Sequence, residues 1–425
     1  MIIPRNRQKF NLQKGKSRMS HLPAENSPMT ARSMNGYYPA FPFPLPLLLD
    51  GATGTAMIRA GMPAGVCPEK WILEHPEPLI RLQKRYLSAG SDAVLSPTFG
   101  ANRTLLSRYS LADETISMNA SLAALSRKAA GDALVGGDLS PTGAYLYPSG
   151  STDFDTLVSI YAEQAAALSS FVDFFMIETN MDLACTRAAV LGVRKASKKP
   201  TFVTMTVTNA GMTMSGDTPQ ACLLTLSELG ISAFGLNCST GPSEMSRHIT
   251  PLLPLSLALG IPLIAKPNAG PQPSRAESPA AFADACEKML SCGVGILGGC
   301  CGTDERHIAA LKTLVDRWNG ETFPSGISLP DTAMMASNAR QIVPIQRDSL
   351  PAPLVPSEDF PNNAAEMADR HGFLYIRMDS RAQADTVLEE APFLPVPLCL
   401  CGNADAIAFF RKRFCGKAPV IEVLS

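Results

Sequence analysis

From Leu47 to about Asn319 one unit recurs: a short apolar run, a loop, then a stretch with apolar residues at helical spacing. The candidate strands are Leu47–Asp50, Asp92–Pro97, Leu134–Ser140, Phe174–Glu178, Thr201–Val207, Ala233–Cys238, Pro262–Asn268 and Val294–Cys300. Short apolar runs read as strands buried on both faces. Strands that alternate with helices build parallel sheets. Eight such units in this length favour closure into an α/β TIM (β/α)8 barrel over an open doubly wound sheet. The last helical stretch shows the pattern: Ile308, Leu311, Leu314 and Val315 form one apolar stripe behind Thr303 as a candidate cap.

Polar residues collect where such a barrel keeps its chemistry, at the C-terminal ends of the strands. Asp50, Asp138 and Glu178 end the first, third and fourth candidate strands, and Thr98 follows the second. Cys238, Asn268 and Cys300 end the sixth, seventh and eighth, with Cys301 next in line. Adjacent cysteines are poor disulfide partners, because bridging them distorts the backbone. They suit one soft metal ion when the chain bends, and the glycines of Val294-Gly-Ile-Leu-Gly-Gly-Cys300-Cys301-Gly302 permit that bend. Closure brings Cys238 to the same rim. Its separation from the pair, 300 − 238 = 62 residues, is far from the local spacing of a zinc finger. Three thiolates suit zinc and leave its fourth position open for a substrate.

Composition narrows the class. The 425 residues carry a formal net charge of −1 and are 46% hydrophobic, so nothing draws the chain toward nucleic acid or lipid. The 11 cysteines are scattered, unlike a disulfide scaffold, and point to a reducing cytoplasm. No apolar run is long enough to span a bilayer. Residues 1–43 read as a disordered basic arm, with Arg5, Arg7, Lys9, Lys14, Lys16, Arg18 and Arg32 against Glu25 alone; a tether to an anionic surface is the alternative. The barrel is expected over 44–319 and a linker rich in Pro, Ser and Asp over 320–363. A small βαβαβ appendage follows over 364–425, built from Phe373–Met378, Arg381–Glu390, Val396–Leu400, Ala404–Arg413 and Pro419–Leu424. It reads as a structural cap on the barrel, with a partner-docking surface as the alternative. Cys185, Cys222, Cys286 and Cys292 read as packing residues, and Cys399 with Cys401 as core rather than a second metal site.

Several segments, in this order, resemble the homocysteine S-methyltransferase family. They are Leu49-Asp-Gly-Ala-Thr-Gly-Thr55, Thr98-Phe-Gly-Ala-Asn102, Gly137-Asp-Leu-Ser-Pro-Thr-Gly143, Glu178-Thr179, Gly235-Leu-Asn-Cys-Ser239, Pro267-Asn-Ala-Gly270 and Gly298-Gly-Cys-Cys-Gly302. Pro141-Thr-Gly143 and Tyr147-Pro148 look most like the homocysteine module of cobalamin-dependent methionine synthase. The resemblance implies zinc held by Cys238, Cys300 and Cys301. It implies that Glu178 and Asp50 receive the homocysteine amino group, with Thr98, Asn237 and the backbone of Gly51 and Ala52 around the amino acid. Asp138 reads instead as a structural cap for loop amides. Ser96-Pro97 before Thr98, Asn180-Met181 after Thr179 and Gly216-Asp-Thr-Pro219 depart from the family pattern.

The chemistry implied is attack of a zinc-bound homocysteine thiolate on a methyl group to give methionine. A free thiol has a pKa of about 8.5, so a metal is needed to make it a thiolate near neutral pH. No Asp-x-His-x-x-Gly cobalamin motif is present; Asp369-Arg-His371-Gly lacks the later glycine. A methylcobalamin or methyl-corrinoid donor is therefore expected from another protein or free. S-methylmethionine and betaine are the alternative donors. A corrinoid-linked demethylase component and a zinc- or methyl-sensing regulatory barrel are the rival functions.

Overall fold

The computed structural model describes residues 34–146, 150–270, 277–318 and 327–421. Eight strands run β1 (Leu47–Leu48), β2 (Ala93–Leu95), β3 (Leu134–Leu139), β4 (Phe174–Asn180), β5 (Thr201–Met205), β6 (Ala233–Asn237), β7 (Leu263–Lys266) and β8 (Val294–Leu297). All pair in parallel, in the order β1-β8-β7-β6-β5-β4-β3-β2. The seam between β1 and β2 closes by other bonds. The amide of Asp92 donates to the Leu48 carbonyl (2.7 Å), and that of Leu95 donates to the Asp50 carboxylate (2.9 Å). The result is the TIM barrel expected from the eightfold repeat, with helices outside the strands. Where residues are described, the strands fall inside the expected runs except that β4 extends two residues past Glu178, to Asn180.

The N-terminal end of the barrel is plugged. Phe174 and Phe202, on adjacent strands, stack with centroids 4.5 Å apart. Phe41 stacks on Phe202 at 5.5 Å, and Phe43 meets Phe174 edge-on at 6.0 Å. Met34 and Tyr38 are fully buried, and the Tyr38 hydroxyl bonds Ser256 Oγ at 3.1 Å. Residues 34–43 are thus ordered, within the stretch expected to be a disordered arm. The reason is composition: every basic residue of that arm precedes Met34, and the apolar remainder finds the open end of the barrel. Residues 1–33 lie outside the described residues.

A second hydrophobic core gathers Phe360, Leu374, Ile376, Val387, Leu398 and Phe410. Its frame follows the hairpin of β9 (Met335–Ser337) and β10 (Ile342–Pro344). It consists of β11 (Leu374–Met378) parallel to β12 (Leu398–Gly402), with helices Phe360–His371, Arg381–Glu390 and Ala404–Arg413. Of the last expected strand, the described part bridges to β12 through Leu400 and Val420; residues 422–425 lie outside the described residues. The expected linker is structured over its described part, because Ala336 and Ile345 supply this core and the hairpin leans on the barrel. There Thr218 N donates to the Ala339 carbonyl (3.0 Å), and Thr225 and Ser337 share a hydroxyl bond (3.0 Å). Arg187, fully buried on the barrel, donates through Nη2 to the carbonyls of Arg411 (2.8 Å) and Lys412 (3.1 Å), closing the last helix. These contacts hold the small module against the barrel wall.

Candidate metal centre

Cys238 follows β6, and Cys300 with Cys301 follows β8, two strands away around the rim. Their sulfurs lie within 4.8 Å of one another, with Cys238 and Cys301 at 3.9 Å. Tetrahedral zinc with Zn–S bonds of about 2.3 Å needs sulfurs roughly 3.8 Å apart, so the cluster fits after a shift of about 1 Å or less. Among the described residues this is the one group of metal-ligating side chains. Cys399 and Cys401 are both buried in β12 and belong to no such group.

The backbone is built to aim these sulfurs. Cys238 N donates to the Lys266 carbonyl (3.1 Å), Cys300 N to Pro267 (2.9 Å) and Gly299 N to Asp50 (3.0 Å), lacing the ends of β1, β6, β7 and β8 together. Cys238 and Ser239 take positive φ, 61° and 64°, a conformation unfavourable for side chains other than glycine and short polar ones. Gly302 has φ 83°, and a Cβ there would lie 2.4 Å from the Gly270 carbonyl oxygen, so only glycine turns the chain out after the cysteine pair. Cys300 and Cys301, beside Cys238, hold its thiol far below the usual thiol range, while Cys238 pushes theirs up.

The cysteines form one side of a cavity of about 330 Å³, near the lower end of the ~300–1,000 Å³ typical of small-molecule sites. Asp50, Gly51, Ala52, Glu69, Phe99, Asp138, Glu178 and Lys266 face it as well. A larger hollow of about 580 Å³ lies at the other end of the barrel, lined by Phe41, Glu228, Ile261 and Lys417. It holds no thiol.

A profile of the homocysteine S-methyltransferase family matches residues 47–315, which is the whole barrel. The chain belongs to the homocysteine S-methyltransferase family. Among curated relatives, methionine synthase of Mycobacterium leprae (strain TN) is 33% identical over 303 residues, covering 65% of this chain and 25% of that protein. Methionine synthase of Mycobacterium tuberculosis is 32% identical over 292 residues, covering 63% of this chain and 24% of that protein. The chain thus spans about a quarter of the length of these relatives. The metallated form of the Escherichia coli homocysteine methyltransferase MmuM superposes with a TM-score of 0.54 at 22% identity, covering 63% of this chain and 95% of that one. Its oxidized form gives 0.54 at 23%. At that identity the likeness speaks for the barrel fold alone.

Against the family expectation, several residues take other places. Asp50, Gly51, Ala52 and Glu178 do line the cavity with the cysteines. The Ala52 amide, however, donates to Thr303 Oγ1 at 3.1 Å, so Thr303 ties down this loop instead of capping the last helix. Asp304 caps that helix, with His307 returning the bond. Thr98 does not face the cavity: its buried hydroxyl donates to the Asp138 carbonyl (2.8 Å) and pairs with Ser96 (2.7 Å). Asn237 is likewise behind the wall. Its Oδ1 accepts from Thr179 N and Thr204 Oγ1, both at 2.9 Å. Its Nδ2 donates to Thr179 Oγ1 (2.9 Å) and points at Cys300 Sγ (3.8 Å). It therefore holds the strained Thr179 (φ 62°) and the cysteine pair in register instead of touching a substrate. Asp138 caps nothing, since its Oδ1 is buried without a hydrogen-bond partner.

Lys266 is the residue that the motifs did not single out. It ends β7 and forms a buried ion pair with Glu178. Burial alone would lower its ammonium, but Glu178, Asp50, Cys300 and Asp138 outweigh burial and raise it. The signal was present: one lysine closes the otherwise apolar run Leu263-Ile-Ala-Lys266. Burial, with Lys266 only partly compensating, lifts the Asp50 carboxyl to about 7, and burial with Glu178 beside it lifts Asp138 well above the usual range.

Proposed function

We propose that the chain is a zinc-dependent methyltransferase that converts homocysteine to methionine, with the methyl group supplied by a methyl-corrinoid on another protein. The observation that carries this reading is the convergence of Cys238, Cys300 and Cys301 within 4.8 Å at the side of an acidic cavity. Zinc bound by these three sulfurs supplies the charge that lets an incoming thiol lose its proton near neutral pH. The chain's own residues do the rest. The carboxylates of the cavity draw the substrate ammonium and so fix which end of the amino acid meets the cysteines. Cys301 is exposed, so the sulfur end of the substrate faces the mouth, where a methyl donor approaches. The substrate sulfur forms a bond to the methyl carbon, and the carbon–donor bond breaks with its electron pair leaving on the donor.

The methionine synthase relatives, and the Pro141-Thr-Gly143 and Tyr147-Pro148 segments, favour a corrinoid donor. Tyr147 and Pro148 themselves lie outside the described residues. No helix among the described residues is long and apolar enough to cross a membrane. The test is methionine formation by zinc-loaded chain with homocysteine and, separately, a methyl-corrinoid protein, methylcobalamin, S-methylmethionine and betaine. Turnover with the corrinoids, abolished by Cys301→Ser, is expected. Retained zinc with no methionine from any donor overturns the reading.

A further inference from the structure

Thr179 lines the cavity beside Glu178 at φ 62°, a conformation that a β-branched residue keeps only where its surroundings impose it. Asn237 grips it from the β6 side, accepting from the Thr179 amide at 2.9 Å. A second grip falls on the next residues of the same loop and comes from the loop after β5. Ser215 donates to the Met181 carbonyl through N (3.3 Å) and Oγ (2.9 Å), and its Oγ also donates to Asp182 Oδ2 (3.0 Å). The Leu183 amide, which opens helix Leu183–Ala196, donates to Asp217 Oδ2 at 2.8 Å. Asp217 is 4% exposed, and the same oxygen accepts the Thr213 hydroxyl at 3.0 Å, closing its own loop. Burial, then Asp182, lift its carboxyl to about 6, against the pull of the Leu183 amide, the Thr213 hydroxyl and Arg340.

The small module holds this loop in turn. Thr218, next to Asp217, donates through its amide to the Ala339 carbonyl (3.0 Å) and through Oγ1 to the Arg340 carbonyl (3.2 Å). Both carbonyls belong to the turn between β9 and β10. Asn338 shapes that turn, its Oδ1 accepting the amides of Arg340 (2.9 Å) and Gln341 (2.8 Å). The hairpin lies beyond residues 47–315, the part shared with the family. We propose that Asp217 is a positioning residue for the cavity wall at Glu178 and Thr179, and that the module's hairpin braces it there. The inference rests on the proposed function and gives the module a part in it. Asp217 does not line the cavity; it acts through Leu183 and the loop that leads back to Thr179.

The test pairs amide exchange, read by mass spectrometry, with steady-state kinetics on the reduced, zinc-loaded full chain. The variants are Asp217→Ala, Asp217→Asn and Asn338→Ala. Asparagine keeps an acceptor oxygen at position 217, and Asn338 is half-buried in a turn of the module, so these two should fold even where Asp217→Ala does not. In both alanine variants exchange over residues 179–183 should quicken roughly tenfold, with helix Pro76–Ser88 unchanged. Homocysteine KM, with the methyl donor that the parent turns over fastest, should rise about 2–30-fold while kcat stays within about twofold. Asp217→Asn should stay within about twofold of the parent in both constants. Exchange that quickens equally across the chain marks a merely structural role and overturns the inference. So does an unchanged KM, or unchanged exchange over 179–183, in Asn338→Ala, and so does an Asp217→Asn variant as impaired as Asp217→Ala. A parent that makes no methionine from any donor overturns the proposed function instead, and the exchange comparison then decides by itself whether the hairpin braces this loop.

Discussion

Replacing Asn237 by alanine separates a residue that touches substrate from one that holds the cysteine cluster in place. The side chain is 1% exposed and ties three elements: Thr179 after Glu178, Thr204 on β5, and Cys300 after β8. Alanine leaves the Thr179 amide without its acceptor in a half-buried site, at a cost of about 1–3 kcal/mol. The Thr204 hydroxyl can turn to a new partner, and we assign it no more than about 1 kcal/mol. The expected loss of stability is thus about 1–4 kcal/mol, read from the urea midpoint with an unchanged slope. Loss of an outer support of this kind typically lowers metal affinity roughly 10–100-fold, read by competition with a chromophoric chelator. Asn237→Asp keeps both accepted bonds but turns a negative charge toward Cys300 Sγ, now 3.8 Å from Nδ2. It should hold zinc less well than the parent, and its buried charge should cost stability as well. Parent-like zinc affinity in the alanine variant, with a raised KM for homocysteine alone, would refute the reasoning and return Asn237 to substrate contact.

Other consequences are checked more briefly. Gly302→Ala combines a φ of 83° with a Cβ 2.4 Å from the Gly270 carbonyl oxygen, and should cost roughly 1–3 kcal/mol and weaken zinc binding, read by melting and metal titration. Burial lifts the Asp50 carboxyl to about 7 in the folded chain, against about 4 when unfolded. Its contribution is therefore fully present below about pH 4 and lost as pH rises through about 7, so the metal-free protein should weaken across that window. Asp50→Asn should flatten this slope, leaving the part due to Asp138 and Asp217, which shift in the same direction; identical pH profiles for parent and variant contradict it. Cys399→Ala and Cys401→Ala should leave the zinc content of the chain unchanged, measured by atomic emission; loss of metal would place a second site in β12.

The barrel was legible because each strand is a short apolar run and each helix carries a stripe, a pattern that survives without any knowledge of contacts. The convergence of the three thiols was legible because cysteines at the ends of two strands meet only if the sheet closes. What stayed hidden depends on which way a side chain turns. Thr98 and Asn237 sit at strand ends as expected, yet both turn into the wall and bond backbone or neighbouring hydroxyls. Glu178 reads as a substrate carboxylate until Lys266, 88 residues further on, is brought against it by the packing of the rim. Residues 34–43 and 327–363 carry few regular patterns, and their order comes from surfaces supplied by distant parts of the chain, such as Phe202 and the module core.

If Cys238, Cys300 and Cys301 hold one ion with a position left for the substrate sulfur, X-ray absorption at the zinc edge, on the reduced chain with and without homocysteine, will read it. Three sulfur neighbours at about 2.3 Å plus one lighter atom are expected, changing to four sulfurs when homocysteine is added. A sulfur count that does not change, or zinc bound with fewer than three sulfurs, would contradict it.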